Sequence, residues 1–209
     1  MTKRFFFVLI AMLLVLSAFT ACDDDDSDGS SSDAHYMTTS ELATITSIFR
    51  LVDDLDFDDY DIYEIYDEEG NWVAEYWFID SDGDKEYDDD EQLIYYCEAT
   101  NPTEDDDNIY AEYCLYNYSD DESGNSLYGT QIYTRYENEE SDSYVITVEY
   151  DYTATVSDVE HTLVMTVELT STNSSDSYSY TDSDVVLDGV TLYGFEDYMN
   201  VLSYYMLKY

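Results

Sequence analysis

The sequence is short of positive charge. Six Lys and Arg residues stand against 50 Asp and Glu, for a formal net charge of −44. So few cations cannot follow a phosphate backbone, which excludes nucleic acid as a partner. Anionic lipid surfaces repel such a chain, whereas cations and cationic proteins are drawn to it. Histidine is scarcer still: His35 lies in a polar N-terminal stretch, and His161 stands alone at the start of a strand-like segment. The chain has no paired-histidine metal motif, no Gly-x-Ser-x-Gly and no phosphate loop, so catalysis of those kinds lacks its residues. Carboxylate pairs are everywhere, so none singles out a glycosidase-like acid and base. Cysteine is limited to positions 22, 97 and 114. Long apolar runs are missing too. Phe5 to Phe19, interrupted only by Ser17, is 15 residues, or roughly 22 Å of helix against a bilayer core of roughly 30 Å.

That short run follows Lys3 and Arg4 and ends in Phe19-Thr20-Ala21-Cys22. A basic start, a short apolar core and small terminal residues form the secretory-signal pattern. The ending resembles a lipobox, with Phe19 where Leu is usual. The resemblance implies a bacterial lipoprotein, cut before Cys22 and anchored by lipid, palmitate included, on that cysteine. Asp23-Asp24-Asp25-Asp26-Ser27-Asp28 then resembles the acidic export signal of surface lipoproteins in the Bacteroidetes. It implies the outer membrane and the cell surface; a periplasm-facing anchor is the alternative. Residues 22–35 read as a flexible acidic tether, because Asp, Ser and Gly cannot pack a core. Loss of the signal with Lys3 and Arg4 takes the charge from −44 to −46. A salty habitat selects the same composition as a cationic partner does.

Charge this high often means disorder, yet the chain carries 25 Tyr, 8 Phe and 2 Trp, and 44% of it is hydrophobic. That is enough for one core, so residues 36–209 read as a single domain. Thr38-Thr39-Ser40-Glu41 spells a capping box. Leu42, Ile45, Ile48, Phe49 and Val52 follow at helical spacing, predicting a short helix from about Thr39 to Val52. Eight strands are expected after it, near Tyr60–Tyr66, Trp72–Ile79, Gln92–Ala99, Ile109–Tyr118, Leu127–Tyr136, Tyr144–Thr155, Thr162–Thr170 and Asp184–Tyr193. Short connections make them an antiparallel meander, mainly β, closed as a barrel or stacked as a two-layer sheet. Phe195, Tyr198, Met199, Leu202, Tyr205 and Met206 fit a C-terminal helix. The competing reading is a strand over Val201–Tyr209 that loosely resembles the last strand of outer-membrane barrels. Acids on both faces of most strands speak against a lipid-facing barrel.

Four sites are legible. If the hairpin around the 101–108 loop is symmetric, Cys97 and Cys114 face each other at disulfide distance in an oxidising compartment. Two buried free thiols are the alternative. Asp80 to Glu91 resembles an EF-hand calcium loop, with Asp80, Asp82, Asp84, Asp88 and Glu91 as ligands for Ca2+. Lys85 stands where that loop needs Gly, and a strand precedes it; a hairpin turn at Asp82-Gly83 is the plainer reading. Gly70-Asn71-Trp72 resembles the Gly-x-Trp of lipocalins. The tyrosines suit either a glycan-stacking surface or half-buried sheet positions with ring in and hydroxyl out. The functional expectation is a non-enzymatic surface binding or structural module for glycan, cation or cationic protein. A lipocalin-like carrier of a small apolar ligand and a carboxylate-based glycoside-processing enzyme are the alternatives.

Overall fold

Thr38 and Glu41 form the capping box that their spacing spells in the computed structural model, which describes residues 34–53, 55, 60–100, 109–120, 122–138, 143–172 and 178–198. The Thr38 N–H donates to Glu41 Oε2 at 2.7 Å, and the Glu41 N–H donates back to Thr38 Oγ1 at 3.3 Å. Helix α1 then runs Thr39–Asp53 and buries Leu42, Ile45, Ile48, Phe49 and Val52, as expected, with Thr46 and Leu51 beside them. His35, expected in the tether, also belongs here: its Nε2 lies 2.6 Å from Glu41 Oε1.

The strands are β1 (Asp61–Tyr66), β2 (Trp72–Ile79), β3 (Gln92–Thr100), β4 (Ile109–Ser119), β5 (Ser126–Asn138), β6 (Ser143–Val156), β7 (Val159–Thr172), β8 (Tyr178–Leu187) and β9 (Val190–Leu192). They form one sheet in the order of the chain, every neighbouring pair antiparallel. The mainly β meander is as expected. Its closure is not: β1 and β9 are the two ends of the order, so the sheet is open and no barrel forms. The layer over the sheet is helix α1, not a second sheet. The strand count differs for a local reason. The segment read as one strand from Asp184 turns at Asp188 and Gly189, whose φ angles of 52° and 78° reverse the chain between β8 and β9. Of the expected C-terminal helix, Phe195–Tyr198 forms a 3-10 turn. Residues 199–209, the signal segment, Cys22 and the acidic run lie outside the described residues.

Period-two burial decides which face meets the helix. On β6, Ile146, Val148, Tyr150, Tyr152 and Ala154 are buried, and on β7 Leu163, Met165, Val167 and Leu169. Phe49 of α1 packs edge-on against Tyr150 at 5.1 Å and Tyr152 at 6.4 Å. The hydroxyls of Tyr116 and Tyr152 both donate to Gln131 Oε1, at 3.4 and 3.1 Å, so the buried phenols stay satisfied. Burial raises the Tyr152 pKa well above its ordinary value. Tyr96 and Tyr110 serve the sheet in the same way, their rings against neighbouring tyrosines and their hydroxyls donating to Glu98 and Glu112.

Candidate functional site

Cys97 and Cys114 are direct cross-strand partners on β3 and β4. Their Cα atoms lie 4.1 Å apart, at a sequence separation of 17, with the sulfurs at bonding distance. Both are buried. The symmetric-hairpin expectation therefore places them correctly, although residues 101–108 between them are not described. Reduction, or Cys97→Ala with Cys114→Ala, is expected to lower stability by about 2–4 kcal/mol. Peptide mapping without reductant should recover the linked pair; two alkylatable thiols would contradict it.

The 80–91 loop joins β2 to β3 as a long hairpin connection, not a tight two-residue turn. Asp80 organises it. Its Oδ1 accepts the N–H of Gly83 at 2.6 Å and of Asp82 at 3.1 Å, and its Oδ2 accepts that of Lys85 at 3.1 Å. Glu91 closes the other end, accepting from Ser81 at 2.9 Å and from Asp88 at 3.2 Å. Lys85 takes φ 67°, the left-handed conformation that glycine normally supplies. The five expected carboxylates fall into two groups that share Asp82. Asp80, Asp82 and Glu91 form one, Asp82, Asp84 and Asp88 the other, with oxygens inside each group within 4.8 Å of one another. Desolvation, then the charges of Asp84, Asp90, Asp82 and Glu91, push the Asp88 carboxyl above its ordinary range. A bound cation would relieve that repulsion.

Tyr87 fastens this loop to the sheet. Its ring stacks on Tyr76 at 4.9 Å with 19° between planes, and meets Phe78 edge-on at 5.5 Å. Strand β2 is apolar on both faces because both are covered. Trp77 is buried in the helix-side core. Phe78 is buried on the other face, under the loop. The loop that could take a cation is therefore also a piece of the core. Melting temperature should rise from low to moderate salt, because screening shortens self-repulsion to a range of about 10 Å at 0.1 M. If the five carboxylates hold calcium, micromolar calcium should add a further rise that magnesium does not match and that Asp82→Asn with Asp84→Asn removes. Equal shifts with the two ions at fixed ionic strength would reduce the loop to a turn.

The remaining expected sites are structural in form. Gly70, at φ 86°, makes the β1–β2 turn, and Trp72 opens the second strand, not the first. His161 is not alone: its Nδ1 lies 2.8 Å from Asp188 Oδ2, while Asp188 Oδ1 accepts the Thr162 N–H at 2.8 Å. Burial pushes the Asp188 carboxyl up, but these bonds outweigh it, and its pKa lies below the ordinary value. The stability so gained is full above the unfolded Asp pKa and is lost as pH falls through the lowered one. Among the described residues the exposed tyrosines do not line up as one row: Tyr66 ends β1, Tyr128 and Tyr136 are on β5, and Tyr36 pairs with Tyr193 just beyond β9.

The face of β5–β8 turned away from the helix was not legible as a unit. Its cross-strand rows are Thr134–Thr147–Glu168–Asp182, Ile132–Glu149–Thr166–Asp184 and Thr130–Asp151–Val164–Val186. Five acids share it. Glu168 and Asp182 are direct partners, an unfavourable like-charge pair. No Lys or Arg occurs in these rows: Arg50 is on α1, Lys85 in the acidic loop, and Arg135 on the helix-side face of β5, between the rings of Tyr110 at 5.7 Å and Tyr144 at 5.6 Å. Compared with known proteins, the chain matches no family model, no curated protein and no solved structure.

Proposed function

We propose that this chain is a lipid-anchored, non-enzymatic binding module of the cell surface, and that its ligands are cationic. The observation that carries the reading is the outer face of β5–β8. Glu149 and Asp151 on β6, Glu168 on β7, and Asp182 and Asp184 on β8 stand there on three successive hydrogen-bonded strands without a basic residue among them. A protein offsets like charges cheaply by placing Lys or Arg between them, and here none is placed. Such a surface draws cations by its field and fixes them by its spacing. The lipid on Cys22 supplies the location, since the acidic domain itself has no attraction for anionic membranes.

The test is binding of a lysine-rich peptide to the mature chain and to two charge-matched variants. Glu149→Gln, Asp151→Asn and Glu168→Gln remove three charges from the face. Glu68→Gln, Glu69→Gln and Asp90→Asn remove three from the connections. The first variant should raise Kd about tenfold, the sum of three partly exposed ion pairs. The second should change it less than about twofold. Equal losses would mean that bulk charge alone attracts the peptide, and the face would have no special part.

A further inference from the structure

The two ends of the sheet are finished differently. At β9, a strand of three residues, the N-terminal segment lies alongside: the Met37 N–H donates to the Tyr193 carbonyl at 2.8 Å, and the Tyr193 N–H to the His35 carbonyl at 2.9 Å. At β1, six residues pair with β2 on one side only, and no described residue pairs with the other. Edge strands left open are usually guarded by charge, a bulge or brevity. Strand β1 has a bulge between Ile65 and Tyr66, and its charges are Asp61 and Glu64.

Glu64 is an unusual guard because of what it faces. Its partner across β2 is Glu75, a half-buried carboxyl pushed up by desolvation, held down in part by a bond from Trp77 Nε1 and raised again by Glu64. Two acids directly opposite one another cost stability, and a cation beside them would remove that cost. The flanking rows on the same face are Ile62–Trp77 and Tyr66–Trp72. Ile62 and Tyr66 are 40% and 53% exposed although they sit on the edge of a packed sheet. Along β1 this face therefore carries Ile62, Glu64 and Tyr66 at alternate positions, with the Tyr66 ring beside the carboxylate and its hydroxyl bonded to Glu64.

We propose that the outer edge of β1 is a docking line for an extended basic segment of another protein, which adds to the sheet as a tenth strand. Strand addition pairs the open backbone groups, and alternate side chains set specificity. The segment that fits carries Lys or Arg opposite Glu64, with apolar residues two positions to either side, opposite Ile62 and Tyr66. Its cation completes a row with Glu64 and Glu75. A second β1 strand does not supply the cation, because Asp61–Tyr66 contains no Lys or Arg to set opposite Glu64. The proposal deepens the cationic-ligand reading above by giving one such ligand a seat and a conformation.

The probe is a seven-residue peptide of Thr alternating with Val, Lys and Val, titrated against the full mature chain. Three comparisons decide. The same peptide with N-methyl groups on alternate backbone nitrogens keeps its charge and side chains but cannot add to an edge; its Kd should rise at least tenfold. Glu64→Lys, an exposed position that leaves the core untouched, should weaken the unmethylated peptide by a similar factor. Glu122→Lys, the same charge change in the β4–β5 connection, should leave Kd within twofold. Equal binding of the methylated and unmethylated peptides would overturn strand addition while leaving attraction of cations intact. No binding of either peptide, with lysine-rich peptides still bound at the outer face, would overturn it as well. Loss of both would remove the cationic-ligand reading itself.

Discussion

Gly129→Ala is expected to lose at least about 3 kcal/mol of folding stability. The glycine sits in the middle of β5 at φ 139°. A Cβ there would lie 2.0 Å from the Asp151 carbonyl oxygen and 2.9 Å from the Tyr152 Cα. Both are backbone atoms of β6, and Tyr152 is the residue that Gly129 pairs with, so no side-chain rotation can make room. Tyr116 is its partner on β4, and the Tyr116 and Tyr152 rings meet edge-on at 5.5 Å over the missing side chain. Pushing β5 from β6 would open that aromatic core under Phe49. Urea denaturation should show the loss as a lower midpoint with the slope preserved. A change within about 0.5 kcal/mol, the size of an ordinary surface substitution, would mean that β5 and β6 do not pair in this register.

Gly129 marks the limit of what the sequence discloses. The strand itself was legible from Leu127 to Tyr136, since Tyr, Thr and Ile prefer sheets. The close approach was not, because it depends on which residue of β6 arrives opposite. Local signals served well elsewhere. The capping box at Thr38 and Glu41 involves residues three apart, and α1 follows it within one residue of the expected end. Leu163, Met165, Val167 and Leu169 alternate with wet neighbours, and all four are buried. Asp188-Gly189 is a turn signal of the strongest short-range kind, but it lies within the apolar stretch Val185–Leu192, so apolar patterning alone merges β8 with β9.

The candidate sites divide on the same line. Cys97 and Cys114 were placed by the symmetry of one hairpin. The ligand spacing of the 80–91 loop was visible, whereas the conformation of Lys85 and the hold of Tyr87 on Tyr76 required the fold. Closure of the sheet also depends on contacts between chain ends: a meander of eight or nine strands has the same sequence pattern whether or not its edges meet. The outer acidic face combines residues from four strands, and each strand alone shows only the usual polar alternation.

Cys22→Ala is expected to have the other large effect, because it is all or none. Each buried CH2 of an acyl chain contributes about 0.8 kcal/mol to membrane binding. Cut before Cys22, as proposed, the chain would carry a charge of −46 and would have no compensating attraction to anionic lipid. Without the lipid it should leave the membrane entirely, and with it should go any role that requires display at the surface. Metabolic labelling with palmitate, followed by separation of membrane and soluble fractions, measures both consequences in one experiment. The unaltered chain should carry label and sediment with membranes, and the Cys22→Ala variant should carry none and be recovered in the soluble fraction. Labelled palmitate on the Cys22→Ala variant would contradict the anchor and, with it, the placement of this domain at a membrane surface.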